Sequence, residues 1–290
     1  MKNLKGIAYA LASSSTFGLI PLFSIPILVS GAMEAPSLLF YRFAFATLAM
    51  GLAGILLKKD FRVSPRLLLK ISLLGVFYAS TSMGLTLSYQ YIPSGVATTI
   101  HFLYPVVVTV IMTTFFREKR SGTLLRAALL SIAGVALLSW GEGTIRLEGL
   151  LLVLMTVGTY ATYIVGVNRS GVEAIDPIVL TFYVFVASTA LFAGYAVATT
   201  GLEPIADTST LVRLLLLALL PTVISDFTLI LAVKYVGSTV TAILGSMEPV
   251  VAVLMGVWCF SERFGVKSIL GLALVVTAVT MVVVRQSNKG

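Results

Sequence analysis

Apolar residues occur in ten long runs along this chain, separated by short polar or glycine-containing segments. A helix needs about 20 apolar residues to cross the hydrocarbon core of a bilayer, and each run comes close to that length. The runs do not alternate with period two, as the strands of a membrane barrel would. Because lipid offers no hydrogen-bond partner to the backbone, we predict ten transmembrane helices. They cover residues 5–30, 35–57, 67–91, 94–116, 121–140, 147–168, 175–200, 211–234, 238–260 and 265–285.

One stretch of the chain repeats without a gap. Residues 91–119 read YIPSGVATTIHFLYPVVVTVIMTTFFREK, and residues 235–263 read YVGSTVTAILGSMEPVVAVLMGVWCFSER. The two prolines of this repeat, Pro105 and Pro249, lie 144 positions apart. Because twice this offset nearly fills the 290-residue chain, we predict two copies of one five-helix unit. The predicted domains are residues 1–144 and 145–290.

The composition indicates a membrane protein, since hydrophobic residues make up 58% of the chain and charged residues only 11%. Water-soluble domains carry roughly 25% charged residues. We interpret the net charge of +8 as loop charge that sets membrane orientation, rather than as a nucleic-acid-binding surface. The single cysteine, Cys259, excludes an internal disulfide and is expected to be a small buried side chain. Neither a nucleotide-binding signature nor a set of metal ligands is present, so no cofactor is expected.

Lysine and arginine are unevenly distributed between the two sides of the predicted helix array. With the N-terminus in the cytoplasm, the inner segments hold fifteen of these residues and the outer segments four. This bias predicts that both termini are cytoplasmic. Because each unit has an odd number of helices, the second unit must enter the membrane from the opposite side. The predicted fold is therefore an all-α membrane protein of two inverted five-helix repeats, an arrangement that suits alternating access to a site near the midplane.

Several spans contain residues that interrupt or charge an otherwise apolar helix. Pro21 and Pro26 predict a bent first span, and Pro221 predicts an opening in the eighth. Arg42 lies in the second span, roughly 9 Å from its outer end at 1.5 Å per residue. We expect its side chain to extend to the outer membrane surface.

The fourth, eighth and ninth spans contain the ionisable residues that we expect to line a central cavity. His101 is the only histidine in the chain, and Glu248 is the only acid inside the ninth span. Asp226 in the eighth span aligns with Ser82 in the third, which is the asymmetry expected around a single site. Ionisable groups inside a membrane are hypotheses for functional sites. Because residues three and four apart share a helix face, the fourth span carries one polar stripe and the ninth span carries a matching one. The first holds Ser94, Thr98, His101, Pro105 and Met112, and the second holds Ser238, Thr241, Gly245, Glu248 and Pro249.

The repeated pair YPVVVTVIMTTFFRE and EPVVAVLMGVWCFSE, the FYRF opening of the second span and the overall length resemble the drug/metabolite transporter superfamily, specifically its EamA-type members. The resemblance covers essentially the whole chain. Its most specific part is Pro249 with Glu262, echoed by Pro105 with Glu118. Both acids match the family acid at the end of the fourth and ninth spans, and we expect them to be structural. Within this group the chain looks most like bacterial exporters of aromatic amino acids of the YddG type.

The resemblance implies a transporter of the bacterial inner membrane. An intramembrane enzyme is not expected, because the single histidine has no nearby cysteine or serine motif and the spans contain no closely spaced aspartates. The resemblance also implies a central cavity lined by the first, third, fourth, sixth, eighth and ninth spans, with the fifth and tenth at the periphery. The implied substrates are amino acids and related small molecules, and no nucleic-acid partner is expected. Other metabolites or drugs are alternative substrates, and a channel is an alternative mechanism. A monomer in the lipid bilayer is the expected assembly, although the sequence leaves the oligomeric state open.

A zwitterionic amino acid needs a partner for each of its charges. We expect Glu248 or Asp226 to bind the ammonium, and His101, hydroxyls or helix N-termini to bind the carboxylate. His101 is alternatively a proton carrier, because its charge changes near neutral pH. Aromatic side chains are expected to stack on the substrate, although any of them can instead be a core or interface residue. The predicted substrate-binding residues are Phe17, Tyr78, Ser82, Thr98, His101, Tyr104, Tyr160, Tyr163, Asp226, Gly245 and Glu248, with Pro105 and Pro249 as hinges.

Overall fold

The apolar runs form helices, because a backbone in lipid must satisfy its hydrogen bonds internally. The computed structural model describes residues 2–88, 90–92, 97, 100–119, 121–139, 146–260 and 265–287. Its helices are α1 (Lys2–Phe17), α2 (Ile20–Val29), α3 (Ala35–Leu56), α4 (Pro65–Ser88), α5 (Tyr104–Thr114), α6 (Gly122–Ser139), α7 (Leu147–Arg169), α8 (Pro177–Ala198), α9 (Thr208–Ala218), α10 (Ser225–Val236), α11 (Ser238–Leu244), α12 (Met247–Phe260) and α13 (Val266–Ser287). A short π-helix, Leu219–Ile224, joins α9 to α10.

These helices form the ten predicted spans. The first span consists of α1 and α2, the eighth of α9, the π-helix and α10, and the ninth of α11 and α12. The helices α5 and α6 are shorter apolar segments within the predicted fourth and fifth spans. By length and hydropathy, seven segments of the described chain are able to cross a membrane: Asn3–Val29, Ala35–Leu56, Pro65–Ser88, Leu147–Arg169, Pro177–Ala198, Thr208–Val236 and Val266–Arg285. The ten-span helical prediction is confirmed, whereas the predicted boundary between the repeats, at residues 144–145, lies outside the described residues.

Corresponding helices of the two repeats run in opposite directions, as α3 and α8 show. At the start of α3, the Tyr41 hydroxyl donates to the carbonyl of Glu203, beyond the end of α8, at 2.9 Å. At the other end, Lys59, just beyond α3, pairs with Asp176, the N-cap of α8, at 2.8 Å. The two helices are therefore antiparallel. Because each is the second span of its repeat, the two repeats are inverted, as predicted.

The helices pack in pairs that are related by the repeat. The helix α1 packs on α10, and in the equivalent pair α7 packs on α4. The helices α3 and α8, and likewise α6 and α13, are equivalent helices that pack on each other. The contact between α6 and α13 is close at Gly134, where a Cβ would lie 2.8 Å from the carbonyl oxygen of Gly271. The fifth and tenth spans thus pack mainly on each other, while the first, third, fourth, sixth, eighth and ninth spans contact one another.

The two ends of the helix array lie at the two membrane surfaces, which we call the termini face and the opposite face. The termini face carries the start of α1 and the Lys59–Asp176 pair, and the opposite face carries the start of α3 and Glu203. On the termini face, Glu118 accepts a hydrogen bond from the Thr239 hydroxyl at 2.9 Å. This bond joins the end of the fourth span to α11. The other acid of this pair, Glu262, lies outside the described residues.

Candidate functional site

Four spans are interrupted near the middle of the membrane. In the first span, residues 18 and 19 separate the end of α1 at Phe17 from the start of α2 at Ile20. In the eighth span, the interruption is the π-helix. Turns at residues 102–103 and 245–246 precede α5 and α12, at positions that match the repeat offset within one residue. A proline lies in or just after each interruption, because its missing N–H and its ring disfavour a continuous helix. The predicted bend in the first span and opening in the eighth are confirmed. These prolines are Pro21, Pro105, Pro221 and Pro249.

Aromatic rings fill the space between these interruptions. The Tyr104 and Tyr160 rings meet edge to face with centroids 4.7 Å apart. Phe17, at the end of α1, lies parallel to Tyr160 at 6.5 Å. On the other side, the Tyr163 and Tyr78 centroids are 4.9 Å apart. Four spans, the first, third, fourth and sixth, therefore contribute to one group of rings, which we call the aromatic cluster.

His101 packs against the aromatic cluster and is only 2% exposed. Its ring centroid is 5.3 Å from that of Tyr104 and 5.4 Å from that of Tyr160. Its Nδ1 lies 2.8 Å from the Thr156 hydroxyl, which itself donates to the carbonyl of Val153 at 2.7 Å. Because that hydroxyl has one hydrogen, the histidine must be the donor at Nδ1. The buried Nε2 has no hydrogen-bond partner among the described residues, so a neutral His101 presents an acceptor there.

Arg42 lies in the interior, so the expectation that it reaches the membrane surface is wrong. Its side chain is 3% exposed. The Nε atom donates to the Thr222 hydroxyl at 2.7 Å, and Nη1 donates to the Ser82 hydroxyl at 3.3 Å. Thr222 belongs to the π-helix and donates to the carbonyl of Leu217, five residues earlier, at 2.8 Å. The irregular turn thus presents an acceptor to the arginine, which offsets the cost of a charge in lipid.

A buried carboxylate lies on the same span, one helical turn beyond Thr222. Asp226 is 1% exposed, and its Oδ1 accepts a hydrogen bond from the Tyr163 hydroxyl at 2.7 Å. Its Oδ2 is buried without a hydrogen-bond partner in the described part of the chain, as is the Tyr78 hydroxyl. Asp226 also interacts electrostatically with Arg42. The second, third, sixth and eighth spans therefore meet at one buried polar cluster that contains Arg42, Tyr78, Tyr163 and Asp226.

Glu248 brings the ninth span into the same region. It lies in the first turn of α12, directly after the interruption, and it is only partly buried. It interacts electrostatically with Arg42 and with Tyr104 and Tyr160 of the aromatic cluster. Gly245, at the same interruption, faces the Tyr104 hydroxyl so closely that a Cβ would lie 1.9 Å from it. The fourth and ninth spans therefore touch where both are interrupted.

The described residues that the sequence predicted for the site form one connected set. Only Thr98 lies outside the described residues. Sequence reasoning missed Arg42, Thr156 and Thr222 as members of this set. The charge of Arg42 inside an apolar span was the available signal, and the two threonines gave none beyond their mid-span position. The connected residues are Phe17, Tyr78, Ser82, His101, Tyr104, Tyr160, Tyr163, Asp226, Gly245 and Glu248.

Inverted repeats whose interrupted helices surround a buried polar centre are typical of one class of proteins, the multi-pass membrane transporters. The match to a known family makes the identification specific. The EamA-like transporter family matches the chain twice, at residues 4–140 and 147–284. The chain belongs to this family, whose members are transporters and not enzymes. The resemblance seen in the sequence is thereby confirmed at the level of the family, and it leaves the substrate open.

Solved structures support the fold independently. One of them, described only as a crystal structure of a protein, superimposes with a TM-score of 0.80. The match covers 95% of this chain and 95% of that one, at 17% sequence identity. At this identity the likeness concerns the fold alone. No curated protein matches the sequence.

Proposed function

We propose that this transporter carries amino acids, aromatic ones in particular, by alternating access through the central site. The observation that supports this most directly is that Arg42 interacts electrostatically with buried Asp226 and with partly buried Glu248, beside the aromatic cluster. A zwitterion entering a low-dielectric site needs a partner for each charge, and this site offers both signs. The aromatic rings supply the surface on which an aromatic side chain packs.

Arg42 is the preferred partner for a substrate carboxylate in this proposal. A guanidinium presents a planar fork of donors that matches the two carboxylate oxygens. The helices α5 and α12 begin in the same region, and their N-termini add partial positive charge. His101, held with Nδ1 as its donor, instead offers Nε2 as an acceptor, which suits an ammonium or an indole N–H. This assignment differs from the sequence expectation, in which histidine received the carboxylate.

The interruptions of the fourth and ninth spans are the proposed hinges. Both occur just before a proline, at equivalent positions of inverted repeats. Equivalent bends in two inverted units open one face while closing the other, which is the motion that alternating access requires. In this proposal Pro105 and Pro249 permit the bends, and the contact between Tyr104 and Gly245 joins them.

The decisive experiment is counterflow into liposomes that contain the purified full-length protein. Vesicles loaded with unlabelled tryptophan should accumulate labelled tryptophan, and phenylalanine or tyrosine should compete while sugars and cations do not. Equilibration without accumulation would instead indicate a channel. A proton gradient, imposed in a second series, separates proton-coupled from facilitated transport.

A matched pair of variants tests the site itself. Tyr160→Leu should lower counterflow of aromatic substrates, because it removes a ring from the aromatic cluster. Tyr195→Leu makes the same change near the end of α8, outside the aromatic cluster, and should retain activity. Equal activity of the two variants would remove the aromatic cluster from substrate binding.

We further propose that the protein lies in a bacterial inner membrane, exports its substrate, and has both termini in the cytoplasm. The support is the basic loop after α3, which carries Lys58, Lys59 and Arg62 on the termini face. Single cysteines introduced at residues 62 and 203, after replacement of Cys259, allow a labelling test in intact cells. A membrane-impermeant maleimide should modify the cysteine at 203 and spare the one at 62. The reverse pattern would invert the orientation.

A further inference from the structure

The interruptions of the first and eighth spans lack equivalents in the other repeat. The helices α1 and α10 pack on each other. In the first span α1 is followed by α2 after an interruption, and in the eighth span α10 is preceded by α9 and the π-helix. The equivalent pair, α7 and α4, consists of uninterrupted helices of 23 and 24 residues. The two segments beyond the interruptions, α2 and α9, also pack on each other. They form a pair of half-helices at the opposite face that is set apart from the rest of both spans.

A groove of about 450 Å³ runs between these two half-helices. Its walls are largely apolar, and Phe23, Val212 and Leu216 are among them. Arg213 also lines the groove, and the hydroxyl residues Thr208 and Ser209 lie at its end near the membrane surface. The groove thus combines a cation with a hydrocarbon-like wall.

The charge in this groove is available to a ligand. Within the described part of the chain, the Arg213 guanidinium makes no hydrogen bond, and its electrostatic neighbour is Asp207. Asp207 is itself engaged, because it caps α9 by accepting from both the amide and the hydroxyl of Thr210 at 2.9 and 2.7 Å. The helix N-terminus is therefore already satisfied, and any anion in the groove would bind the arginine.

Arg213 lies at a depth along α9 from which its side chain can reach a lipid phosphate at the membrane interface. It is five residues beyond Thr208, the first residue of α9, which corresponds to about 7.5 Å at 1.5 Å per residue. Leu216 lies nearly one turn deeper, on the side of the hydrocarbon. A soluble anion would use the arginine and leave the apolar wall in contact with lipid, whereas a phospholipid would use both.

We propose that the groove between α2 and α9 binds an anionic phospholipid. Its phosphodiester accepts hydrogen bonds from Arg213, and an acyl chain lies along Leu216 and Phe23. Because the lipid contacts both half-helices, it holds them together at the opposite face. The site is separate from the aromatic cluster, and its occupancy is measurable without any transport assay.

The test uses the purified full-length protein, stripped of lipid in an uncharged detergent. Phosphatidylglycerol and phosphatidylcholine with identical acyl chains are added in turn, and the thermal unfolding midpoint is recorded. Phosphatidylglycerol should raise the midpoint more than phosphatidylcholine does. Arg213→Gln should weaken this response by about tenfold in lipid concentration, since charge-assisted hydrogen bonds typically contribute that much.

Two further variants control the interpretation. Arg126→Gln removes an exposed arginine in the first turns of α6, at the termini face and outside the groove, and should keep the wild-type response. Val212→Trp fills the groove with Arg213 intact and should abolish the response. An unchanged response in Arg213→Gln, or equal stabilisation by both lipids, would overturn the proposal. Full stabilisation by inorganic phosphate or glycerol phosphate would also overturn it, because a soluble anion would then be sufficient.

Discussion

The contact between Gly245 and Tyr104 gives a prediction whose size follows from the structure. A Cβ on residue 245 would lie 1.9 Å from the Tyr104 hydroxyl, whereas ordinary contacts begin at 3.4 Å. Gly245→Ala therefore creates an overlap of about 1.5 Å. Tyr104 is almost fully buried, so its ring cannot swing aside without moving its neighbours. Overpacking of this kind typically costs about 1–3 kcal/mol, which we expect as the loss of stability.

Tyr104→Phe should relieve most of this overlap. It removes the hydroxyl, after which the nearest ring atom would lie 3.2 Å from the new methyl group. A contact of 2.9 Å to the carbonyl oxygen of Ala242 would remain, so the rescue should be partial. Both single variants and the double variant are compared by thermal unfolding in detergent and by counterflow. We expect a favourable coupling energy of about 1–2 kcal/mol between the two substitutions.

Two results would refute this reasoning. One is a Gly245→Ala protein as stable as the wild type, which would mean that the fourth and ninth spans do not touch at their interruptions. The other is strict additivity of the two substitutions, which would mean that the glycine is required for a reason other than the tyrosine. Ala97→Ser, a similarly small change at a buried residue, controls for general sensitivity of the fold.

Further predictions concern the charged residues. Arg42→Gln should abolish counterflow and lower stability by about 1.5–3 kcal/mol, because it removes the charged hydrogen bonds to the Thr222 and Ser82 hydroxyls. Arg42→Lys should not restore transport, because an ammonium cannot reproduce the fork of donors; wild-type transport in Arg42→Lys would contradict this. Tyr163→Phe should cost about 1.5–3 kcal/mol in thermal stability in the wild-type background but much less when combined with Asp226→Asn, because its hydroxyl donates to that carboxylate. Asp176→Asn keeps an N-cap acceptor for α8 and removes only the charge that pairs with Lys59, so it should cost less than about 1 kcal/mol at neutral pH. Burial opposes ionisation of Asp176, but the hydrogen bonds from Lys59 and from the Ile178 amide, together with the charges of Lys59 and Lys234, outweigh it and lower the pKa of the carboxyl below its ordinary value. The stability difference should therefore persist at neutral pH and disappear in unfolding curves as the pH falls below about 4; a difference that grows on acidification would be inconsistent with the pair.

The arrangement of the chain could be predicted from the sequence because it depends on long-range regularities. The offset of 144 positions and the odd number of spans per copy require inversion, and the antiparallel pair α3 and α8 confirms it. The interruptions were foreseeable where a proline occurs in an apolar run, since proline lacks the amide hydrogen of a continuous helix. Physical rules that act on the backbone therefore accounted for most of the fold.

The direction of individual side chains could not be predicted in the same way. The helix α3 is apolar on every side, so no periodicity indicates which face of it contains Arg42. The residue points inward because Thr222 and Ser82 provide acceptors, and Thr222 is placed by a π-helix in a distant part of the sequence. The donor role of His101 at Nδ1 likewise depends on Thr156, on another span. These features result from contacts between spans, which a single sequence does not reveal.

The helices α3 and α8 are bonded to each other at both membrane surfaces, through Lys59 and Asp176 on one side and through Tyr41 and Glu203 on the other. If these two helices slide along each other or tilt apart, at least one of the two contacts must break. We therefore expect α3 and α8 to keep their relative position during a transport cycle. Any displacement that admits or releases a solute would then occur in the neighbouring helices that turn against them.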